Sequence, residues 1–303
     1  MTDREWLAEQ FERERPRLRA VAYRMLGSTG EAEDAVQDAW LRLSRSDASS
    51  IDNLAAWLTT VVARLALDRL RSSHARHEES SAVRLPDPIV ELEADPDPSI
   101  DPEAQVELAD SIGIAMLVVL EQLSPAERLA FVLHDTFGLS FDEIAAIVER
   151  TPTATRQLAS RARRRVRGGT PEAPVSPRRQ RQLVDAFLAA ARGGDFQALV
   201  KLLDPEVVVR ADFGTLGAFG SGRVPTEFHG PADADRGDLA FRHLAGGARR
   251  ANVSGAPGFV VFSQGKPYAV LAFGFGRDRI TEIDVLGDPD RLAKLDLSAV
   301  DAG

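Results

Sequence analysis

The spacing of apolar residues divides the chain into two helical blocks and one mixed block. Residues 1–77 and 104–168 carry apolar positions three and four residues apart, which predicts amphipathic helices. After residue 177, two further helical segments, PRRQRQLVDAFLAAARGG and DFQALVKLLD, precede short apolar runs. The runs GFVVFS, YAVLAFGF and ITEIDVLG are separated by two short turns and predict three β-strands. This order predicts a multidomain protein, with two all-α domains followed by an α+β domain.

Two stretches marked by proline separate these blocks. Between Glu78 and Asp110 the chain holds eleven Asp or Glu residues and one arginine, a composition that buries too little apolar surface to fold alone. The segment GGTPEAPVSP after the second block is another break. We therefore predict an acidic, proline-rich linker at 78–103 and a short linker at 169–177. The predicted domains span residues 1–77, 104–168 and 178–293.

Composition narrows the class of protein without identifying it. The 303 residues have a formal net charge of −9, no cysteine and five scattered histidines. We therefore expect no disulfide, no metal site and no cofactor. The N-terminal segment is charged throughout and lacks the apolar stretch of a signal peptide, and no apolar run approaches the length of a membrane helix. These features predict a cytoplasmic protein.

The second block ends in a pattern typical of a helix-turn-helix. SFDEIAAIVER predicts a helix with Ser140 as N-cap and Glu143 as its capping-box partner. TPTAT starts another helix, with Thr151 as N-cap and Pro152 at its first position. At 100° per residue, one face of this second helix carries the small or apolar residues Thr155, Leu158, Ala159, Ala162 and Val166. The opposite face carries Arg156, Gln157, Ser160, Arg161 and Arg164.

This outer face predicts contact with duplex DNA. The segment from Thr151 to Gly169 holds six arginines and no acidic residue, in a chain that is acidic as a whole. Arginine and glutamine form bidentate hydrogen bonds with guanine and adenine edges in the major groove, and Arg163 and Arg167 would reach flanking phosphates. The alternative is a solvated cationic helix end beside the helix dipole. The preceding helix and its spacing favour DNA binding.

The first block carries two candidate surfaces. In STGEAEDAVQDAWLRL (28–43), the alanines, valine and final leucine form a buried stripe, whereas Leu41 falls on the opposite face among acidic residues. That leucine is either a partner contact or an unremarkable surface residue. After a polar loop at 45–53, the next helix is apolar nearly all round. Its narrow polar stripe suits stacking and pairing with a single strand, or else Trp57 is a core residue and Asp68 an internal ion-pair partner. The stripe consists of Trp57, Thr60, Arg64, Asp68 and Arg71.

The chain resembles a bacterial extracytoplasmic-function (ECF) sigma factor. The resemblance rests on EAEDAVQDAWLRL, on AWLTTVVARLALDRLRS and on LSPAERLAFVLHDTFGLSFDEIAAIVERTPTATRQLASRARRRV, in that order. RLPDP (84–88) is similar to a Trp-Leu-Pro-Glu-Pro element of one ECF group, and GDPDRL (287–292) resembles its Asn-Pro-Asp-Lys-Leu motif. Members of that group carry a SnoaL-like C-terminal domain, which the mixed block resembles.

The resemblance implies a transcription initiation factor that binds core RNA polymerase and performs no catalysis itself. Domain two (1–77) would contact the β′ clamp helices, and domain four (104–168) would bind near the β flap and read the minus-thirty-five duplex. The linker would run toward the RNA exit path. The implied polymerase contacts are Asp34, Gln37, Asp38 and Leu41. The implied contacts with the melted minus-ten strand are Ser50, Asp52, Asn53, Trp57, Thr60 and Arg64. The implied minus-thirty-five contacts are Thr153, Arg156, Gln157, Ser160, Arg161 and Arg164.

The resemblance also gives expectations for the third block. SnoaL-like domains are cone-shaped α+β folds with a pocket between a curved sheet and its helices, and in this group the domain regulates activity by contacting domains two and four. We expect the pocket or interface to include Asp212, Asp284, Asp288, Asp290 and Arg291, with His229 and His243 as further candidates. The run DFGTLGAFGSGR departs from the group's compact glycine run.

Two other functions are compatible with parts of the sequence. A SnoaL-like isomerase or hydrolase, or a small-molecule sensor, could be tethered to DNA-binding helices. A DNA-binding repressor would use the helix-turn-helix alone, but it leaves the 28–77 block unexplained.

Overall fold

The computed structural model describes residues 3–46, 51–77, 85–91, 114–168, 175–214, 227–230, 245–297 and 300. Its internal contacts divide the chain into two compact units. The first unit combines residues 1–81 with 119–169, and the second combines 82–118 with 170–303.

Three helices of the first unit pack against one another and confirm the predicted helical block. The stripe predicted for α2 is buried, and Ser28 caps this helix by accepting a hydrogen bond from the Glu31 backbone N–H at 3.4 Å. Arg69 of α3 ties the helices together, because it donates to the Glu31 carbonyl at 2.6 Å and to Asp38 at 2.7 Å. The helices are α1 (Asp3–Leu26), α2 (Thr29–Leu43) and α3 (Leu54–His77).

The same unit contains the predicted helix-turn-helix. Glu143 accepts from the Ser140 backbone N–H at 2.8 Å, and the Glu143 backbone N–H donates to Ser140 Oγ at 3.3 Å, which completes the capping box. Glu149 adopts a left-handed conformation with φ 57° and ends the first helix of the pair. Thr151 Oγ1 accepts from the Ala154 backbone N–H at 3.2 Å and caps the second. The elements are the end of α4 (Ile114–Glu121), which belongs to this unit from residue 119, then α5 (Pro125–Phe131), a π-helical turn (Val132–Thr136), α6 (Phe141–Val148) and α7 (Pro152–Gly168).

The second unit is built on one sheet and has the α+β, SnoaL-like architecture expected. Its described strands lie in the order β1-β4-β5-β6-β7-β2-β3, with β2 and β7 parallel and every other described pair antiparallel. The strands are β1 (Val90–Glu91), β2 (Leu203–Asp212), β3 (Glu227–His229), β4 (Ala248–Val253), β5 (Ala256–Ser263), β6 (Lys266–Gly276) and β7 (Arg279–Leu286). The helices are α8 (Pro177–Gly193), α9 (Phe196–Leu202) and α10 (Pro289–Leu292).

The alternation of side chains along the strands gives this sheet two apolar faces. On one face, Phe187 of α8 meets Phe273 of β6 with ring centroids 5.3 Å apart, and Phe259 of β5 lies 5.8 Å from Phe273. On the other face, Leu286 packs with Leu292 of α10 and with residues farther along the chain. Because side chains of a strand alternate between faces, the buried apolar residues of the strands divide between these two cores.

Residues 85–91 depart from the prediction of a free linker at 78–103. Val90 and Glu91 form β1, an edge strand that pairs antiparallel with β4, Val90 opposite Val253. The four residues from Leu85 to Pro88 are buried. Its composition predicts that this segment cannot fold alone. It could not indicate that the segment adds a strand to a sheet formed mainly by residues after 202.

Candidate nucleic-acid interface

The outer face of α7 is exposed as the helical period predicts. Thr155, Leu158 and Ala159 of the inner face are buried, as are Ala162 and Val166. The six candidate DNA contacts are exposed: Thr153, Arg156, Gln157, Ser160, Arg161 and Arg164. The first turn of α7 contains no acidic residue. A short, exposed, cationic face supported by small buried residues has the shape and charge that a major groove accepts.

The arginines of α7 differ in their partners. The guanidinium of Arg156 lies 5.2 Å from the ring centroid of Phe141, a cation–π distance. Arg163 donates from Nε to Asp135 at 2.7 Å, so the residue expected to reach phosphates is paired within the fold. Arg161 pairs through Nε with Glu127 at 3.2 Å. No local pattern predicts that Glu127 pairs with α7, although SPAE signals its capping box with Ser124.

The polar stripe of α3 lies where the period predicts, and part of it is engaged. Asn53 caps the helix by accepting from the Ala56 backbone N–H at 3.0 Å, and Asp52 is exposed. Trp57 and Thr60 are half-buried, and Thr60 Oγ1 donates to the Ala56 carbonyl at 3.0 Å. Arg64 is exposed and donates to the Ala146 carbonyl of α6 at 3.1 Å. Ser50 lies outside the described residues.

The contact between Arg64 and α6 belongs to a wider interface within the first unit. Arg128 of α5 is buried and donates from Nε to the Arg24 carbonyl of α1 at 3.1 Å. The Arg24 guanidinium lies 5.0 Å from the ring centroid of Phe137. The two predicted helical domains are therefore packed together, and the helix-turn-helix covers part of the α3 stripe.

Three of the four candidate polymerase contacts form an exposed face on α2. Asp34 and Gln37 are exposed, and Leu41 is 43% exposed, one of the few large apolar side chains so placed among the described residues. Asp38 is half-buried and paired with Arg69, so it contributes to the fold of the block. Gln37 also borders a groove of about 290 Å³ between α1 and α2, which Phe11 and Trp40 line.

In the second unit, Asp212 and Arg291 come together with the segment around Asp87, and we call these three residues the Arg291 cluster. Arg291 donates from Nη1 to Asp212 at 2.6 Å and from Nε to Asp87 at 2.8 Å. The Leu85 backbone N–H donates to Asp212 Oδ2 at 3.1 Å, and Arg291 Nη2 donates to the Leu85 carbonyl at 2.5 Å. RLPDP and GDPDRL, the two motifs of the resemblance, therefore contact each other.

Gly214, the glycine that follows β2, lets the backbone pass close to Asp288 beside the Arg291 cluster. Gly214 has φ +63°, and a Cβ at this position would collide with the side chain of Asp288. Asp288 caps α10 by accepting from the Asp290 and Arg291 backbone N–H groups at 2.9 and 3.2 Å. Asp288 thus bonds to the backbone of Arg291, whereas Asp87 and Asp212 pair with its side chain. Asp290 is exposed.

Asp284 lies in a second ionic group, and neither it nor Asp212 lines the predicted pocket. Asp284 accepts from Arg210 at 3.2 Å, and Arg210 also donates to Glu282 at 3.0 Å. Burial raises the pKa of Asp284 to about 7, although the charge of Arg210 opposes that change. The neighbours Ile283 and Val285 face α8, so Asp284 faces the opposite side of the sheet.

The cleft on the α8 side is apolar instead. Phe187, Ala191 and Phe259 are among the residues that line it, whereas Val209 and Ala211 of β2 face α8 and place Asp212 on the other face. Asp212 and Asp284 therefore do not line this cleft, and their expected place at an interface stays a prediction. His229 is exposed beside Glu227 at 2.9 Å, and His243 lies outside the described residues.

Two features are absent from the described ranges. No helix there is long and apolar enough to cross a membrane. No three His, Asp or Glu side chains in those ranges converge in a way that would hold a metal ion.

Comparison with known families agrees with the two helical blocks. The model of Sigma-70 region 2 matches residues 10–76, and the model of Sigma-70, region 4 matches residues 114–166. These ranges contain the α2 face, the α3 stripe and the outer face of α7.

Individual relatives extend the similarity beyond these blocks. The chain is 40% identical over 234 residues to the ECF RNA polymerase sigma factor SigJ of Mycobacterium tuberculosis, across 75% of this chain and 69% of that protein. It is 35% identical to a probable ECF RNA polymerase sigma factor, SigI, of the same organism, across 91% of each chain. The crystal structure of M. tuberculosis SigJ matches with a TM-score of 0.71 and 32% identity, covering 96% of this chain and 99% of that one.

Proposed function

The chain belongs to the ECF RNA polymerase sigma factors, and we propose that it reads promoters through the outer face of α7 and the stripe of α3. Membership implies a transcription initiation factor that binds core RNA polymerase and promoter DNA. The residues that make each contact are our assignment. The exposed cationic face of α7 is the observation that carries it.

We assign the duplex minus-thirty-five element to α7. Arg156, Gln157, Ser160 and Arg161 would face base edges, and Thr153 and Arg164 would lie beside them. Stacking on Phe141 supports Arg156 in this role, because it limits the rotamers of a long side chain before DNA arrives. Arg163 is left out of the base-reading assignment, since its side chain is half-buried and it is expected to flank this face.

We assign the melted minus-ten strand to the N-terminal part of α3 and the preceding loop. Trp57 is half-buried, so one part of its ring packs in the fold while the remainder is available for stacking on a base. Arg64 would have to exchange the Ala146 carbonyl for a phosphate. Promoter binding therefore requires α6 to move away from α3.

We assign the β′ clamp helices to Asp34, Gln37 and Leu41 of α2, with domain four near the β flap. Leu41 is an exposed leucine in an acidic and polar face, a combination that suits a basic partner helix with an apolar contact at its centre. We assign Asp38 an indirect role, in which its ion pair with Arg69 holds α2 against α3.

We further propose that the C-terminal domain regulates activity through the connection between the two helical domains. Residues 78–113 join α3 to α4, and residues 85–91 of this connection are held by β4 and the Arg291 cluster. Docking this segment limits the reach of the connection, and reach governs how easily two tethered modules engage separate sites.

Run-off transcription with core RNA polymerase and Arg156→Ala tests the promoter assignment. We expect the full chain to start transcription at a defined site. The variant should lose about 1–3 kcal/mol of discrimination at one base pair of the minus-thirty-five element, which is the contribution of one bidentate base contact. Arg163→Ala removes the same charge from α7 and should leave base preference unchanged. Equal weakening of all element variants by Arg156→Ala would contradict the assignment.

A further inference from the structure

A buried carboxylate of α5 pairs with the DNA-reading helix. Glu127 is 5% exposed, and it contacts two arginines of α7. Its Oε2 accepts a hydrogen bond from Arg165 Nη1 at 2.7 Å, and its Oε1 lies 3.2 Å from Arg161 Nε. Ser124 donates to Oε2 from its backbone N–H at 3.2 Å and from Oγ at 2.8 Å. One carboxylate thus connects the start of α5 to two turns of α7.

The surroundings keep this carboxylate ionised and in one place. Burial raises the pKa of Glu127, but the hydrogen bonds from Ser124 and the charges of Arg165 and Arg161 outweigh it, so the pKa lies below its ordinary value. The capping box fixes the side-chain rotamer, because both Ser124 groups bond to the same oxygen. The position of the negative charge is therefore set by the fold of α5 and not by DNA.

Arg161 is held at one end of its guanidinium and is open at the other. Its side chain is about half exposed, on the same face as Gln157 and Arg164. Within the described ranges, the Glu127 pair at Nε is the contact that engages it. Guanine is read by two N–H groups of arginine acting together, so Nη1 and Nη2 remain available while Nε is fixed.

The other ion pair of α7 differs in its setting. Arg163 pairs with Asp135, whose side chain is 27% exposed, whereas the side chain of Glu127 is 7% exposed. A partly exposed acid is screened by solvent and is held less firmly in one rotamer. A buried, hydrogen-bonded acid holds its partner in a defined direction.

We propose that Glu127 is a positioning residue that fixes the Arg161 guanidinium for reading one base pair of the duplex promoter element. It thereby sets specificity at that base pair without touching DNA. The proposal rests on the proposed function, because it requires α7 to lie in the major groove. Fixing a long side chain before binding reduces the entropy lost on contact and disfavours the alternative rotamers that would accept other bases.

Glu127→Gln tests the proposal by removing the charge and keeping the shape. Glutamine satisfies the capping box as glutamate does, so α5 retains its start. The full-length variant, assembled with core RNA polymerase, is titrated against promoters in which each base pair of the duplex element is replaced in turn. We expect discrimination at the base pair read by Arg161 to fall about fivefold or more, within the range of one bidentate contact. Discrimination at the other base pairs should remain within about twofold of that of the unmodified chain. Binding to unrelated duplex should not weaken, since a negative charge has been removed.

Three further variants make the result specific. Arg161→Ala identifies the base pair concerned. Arg165→Gln removes the second arginine that pairs with Glu127. It should lower the unfolding midpoint without changing discrimination. Asp135→Asn removes the same charge from the acid that pairs with Arg163, and its base preferences should match those of the unmodified chain.

The outcomes separate this proposal from the proposed function. If Arg161→Ala abolishes discrimination at one base pair and Glu127→Gln does not change it, Glu127 has no positioning role and promoter reading by α7 stands. If Arg161→Ala alters no single base pair, the assignment of Arg161 fails together with the positioning role. Uniform weakening on all promoters by Glu127→Gln, with a lower unfolding midpoint, means that the residue is structural only. Sharper discrimination would show that Glu127 competes with DNA for Arg161, which also overturns the proposal.

Discussion

At the scale of single residues, Asp284 is a carboxyl group whose surroundings oppose its charge. It is 1% exposed, and its Oδ2 has no hydrogen-bond partner among the described residues. Arg210 is shared between Asp284 and Glu282, so the group holds two acids and one base. Burial raises the pKa of Asp284 to about 7, from an ordinary value of 3.8. The folded chain therefore holds a proton between these two pH values that the unfolded chain releases.

Asp284→Asn should change the pH dependence of stability in a defined direction. The contribution of Asp284 is fully present below pH 3.8 and is lost as the pH rises toward about 7. Asparagine does not titrate. The difference in thermal midpoint, variant minus unmodified chain, should therefore increase as the pH is raised from 5 to about 8. Scanning calorimetry of both chains over this range measures the difference. Asp290→Asn, the same change at an exposed acid, is the control. A difference that stays constant over this range would mean that Arg210 keeps Asp284 ionised in the folded chain.

At the scale of secondary-structure elements, α2 offers a direct comparison of two leucines two residues apart. Leu41 is 43% exposed and Leu43 is fully buried, as the helical period of the sequence predicts. Leu41→Asp should therefore weaken binding to core RNA polymerase while leaving the thermal midpoint nearly unchanged. Leu43→Ala should lower stability by about 2–5 kcal/mol through the cavity it creates. Fluorescence titration with core polymerase and thermal unfolding distinguish the two. If Leu41→Asp unfolds the chain, the leucine has a structural role.

The elements also show which parts of the structure the sequence can predict. Helix periods locate the buried stripes of α2 and α7 and the exposed α3 stripe, because each pattern is contained in one helix. Capping residues such as Ser140 and Thr151 are equally local. Glu127 was missed as a partner of Arg161, since the pairing depends on how α5 crosses α7. The position of Asp284 outside the apolar cleft has a related reason, since an acid on a strand can face either side of the sheet.

The segment at 85–91 is the clearest case of a long-range outcome. Its prolines and acids predict that it has no core of its own. Its strand partner is β4, more than 150 residues along the chain by the pairing of Val90 with Val253. No local pattern encodes such a partner, because edge-strand pairing is decided by the sheet that is already present.

At the scale of the whole molecule, the Arg291 cluster connects the C-terminal domain to the chain that joins the two DNA-reading domains. Arg291 neutralises two acids, Asp87 and Asp212, on the two sides of this contact. Removing the arginine would leave two carboxylates facing each other with little solvent, which costs several kcal/mol unless the segment leaves. The stability of the docked segment should therefore depend on Arg291 more than on any single apolar contact.

Arg291→Ala should release residues 85–91, including β1, while leaving strands β2 to β7 of the sheet intact. The Leu85 and Ile89 backbone N–H groups bond to Asp212 and to Ser254 at 3.1 Å each, and their hydrogen exchange should accelerate about tenfold or more, because each 1.4 kcal/mol lost is a factor of ten in the opening equilibrium. Arg179→Ala, which removes an exposed pair with Asp278, is the matched control and should leave both amides protected. With the segment released, run-off transcription should tolerate a wider range of spacings between the two promoter elements, since a longer free connection reaches more separations. Faster exchange with unchanged spacing preference would confine the cluster to a structural role, and unchanged exchange would mean that β4 pairing alone holds the segment.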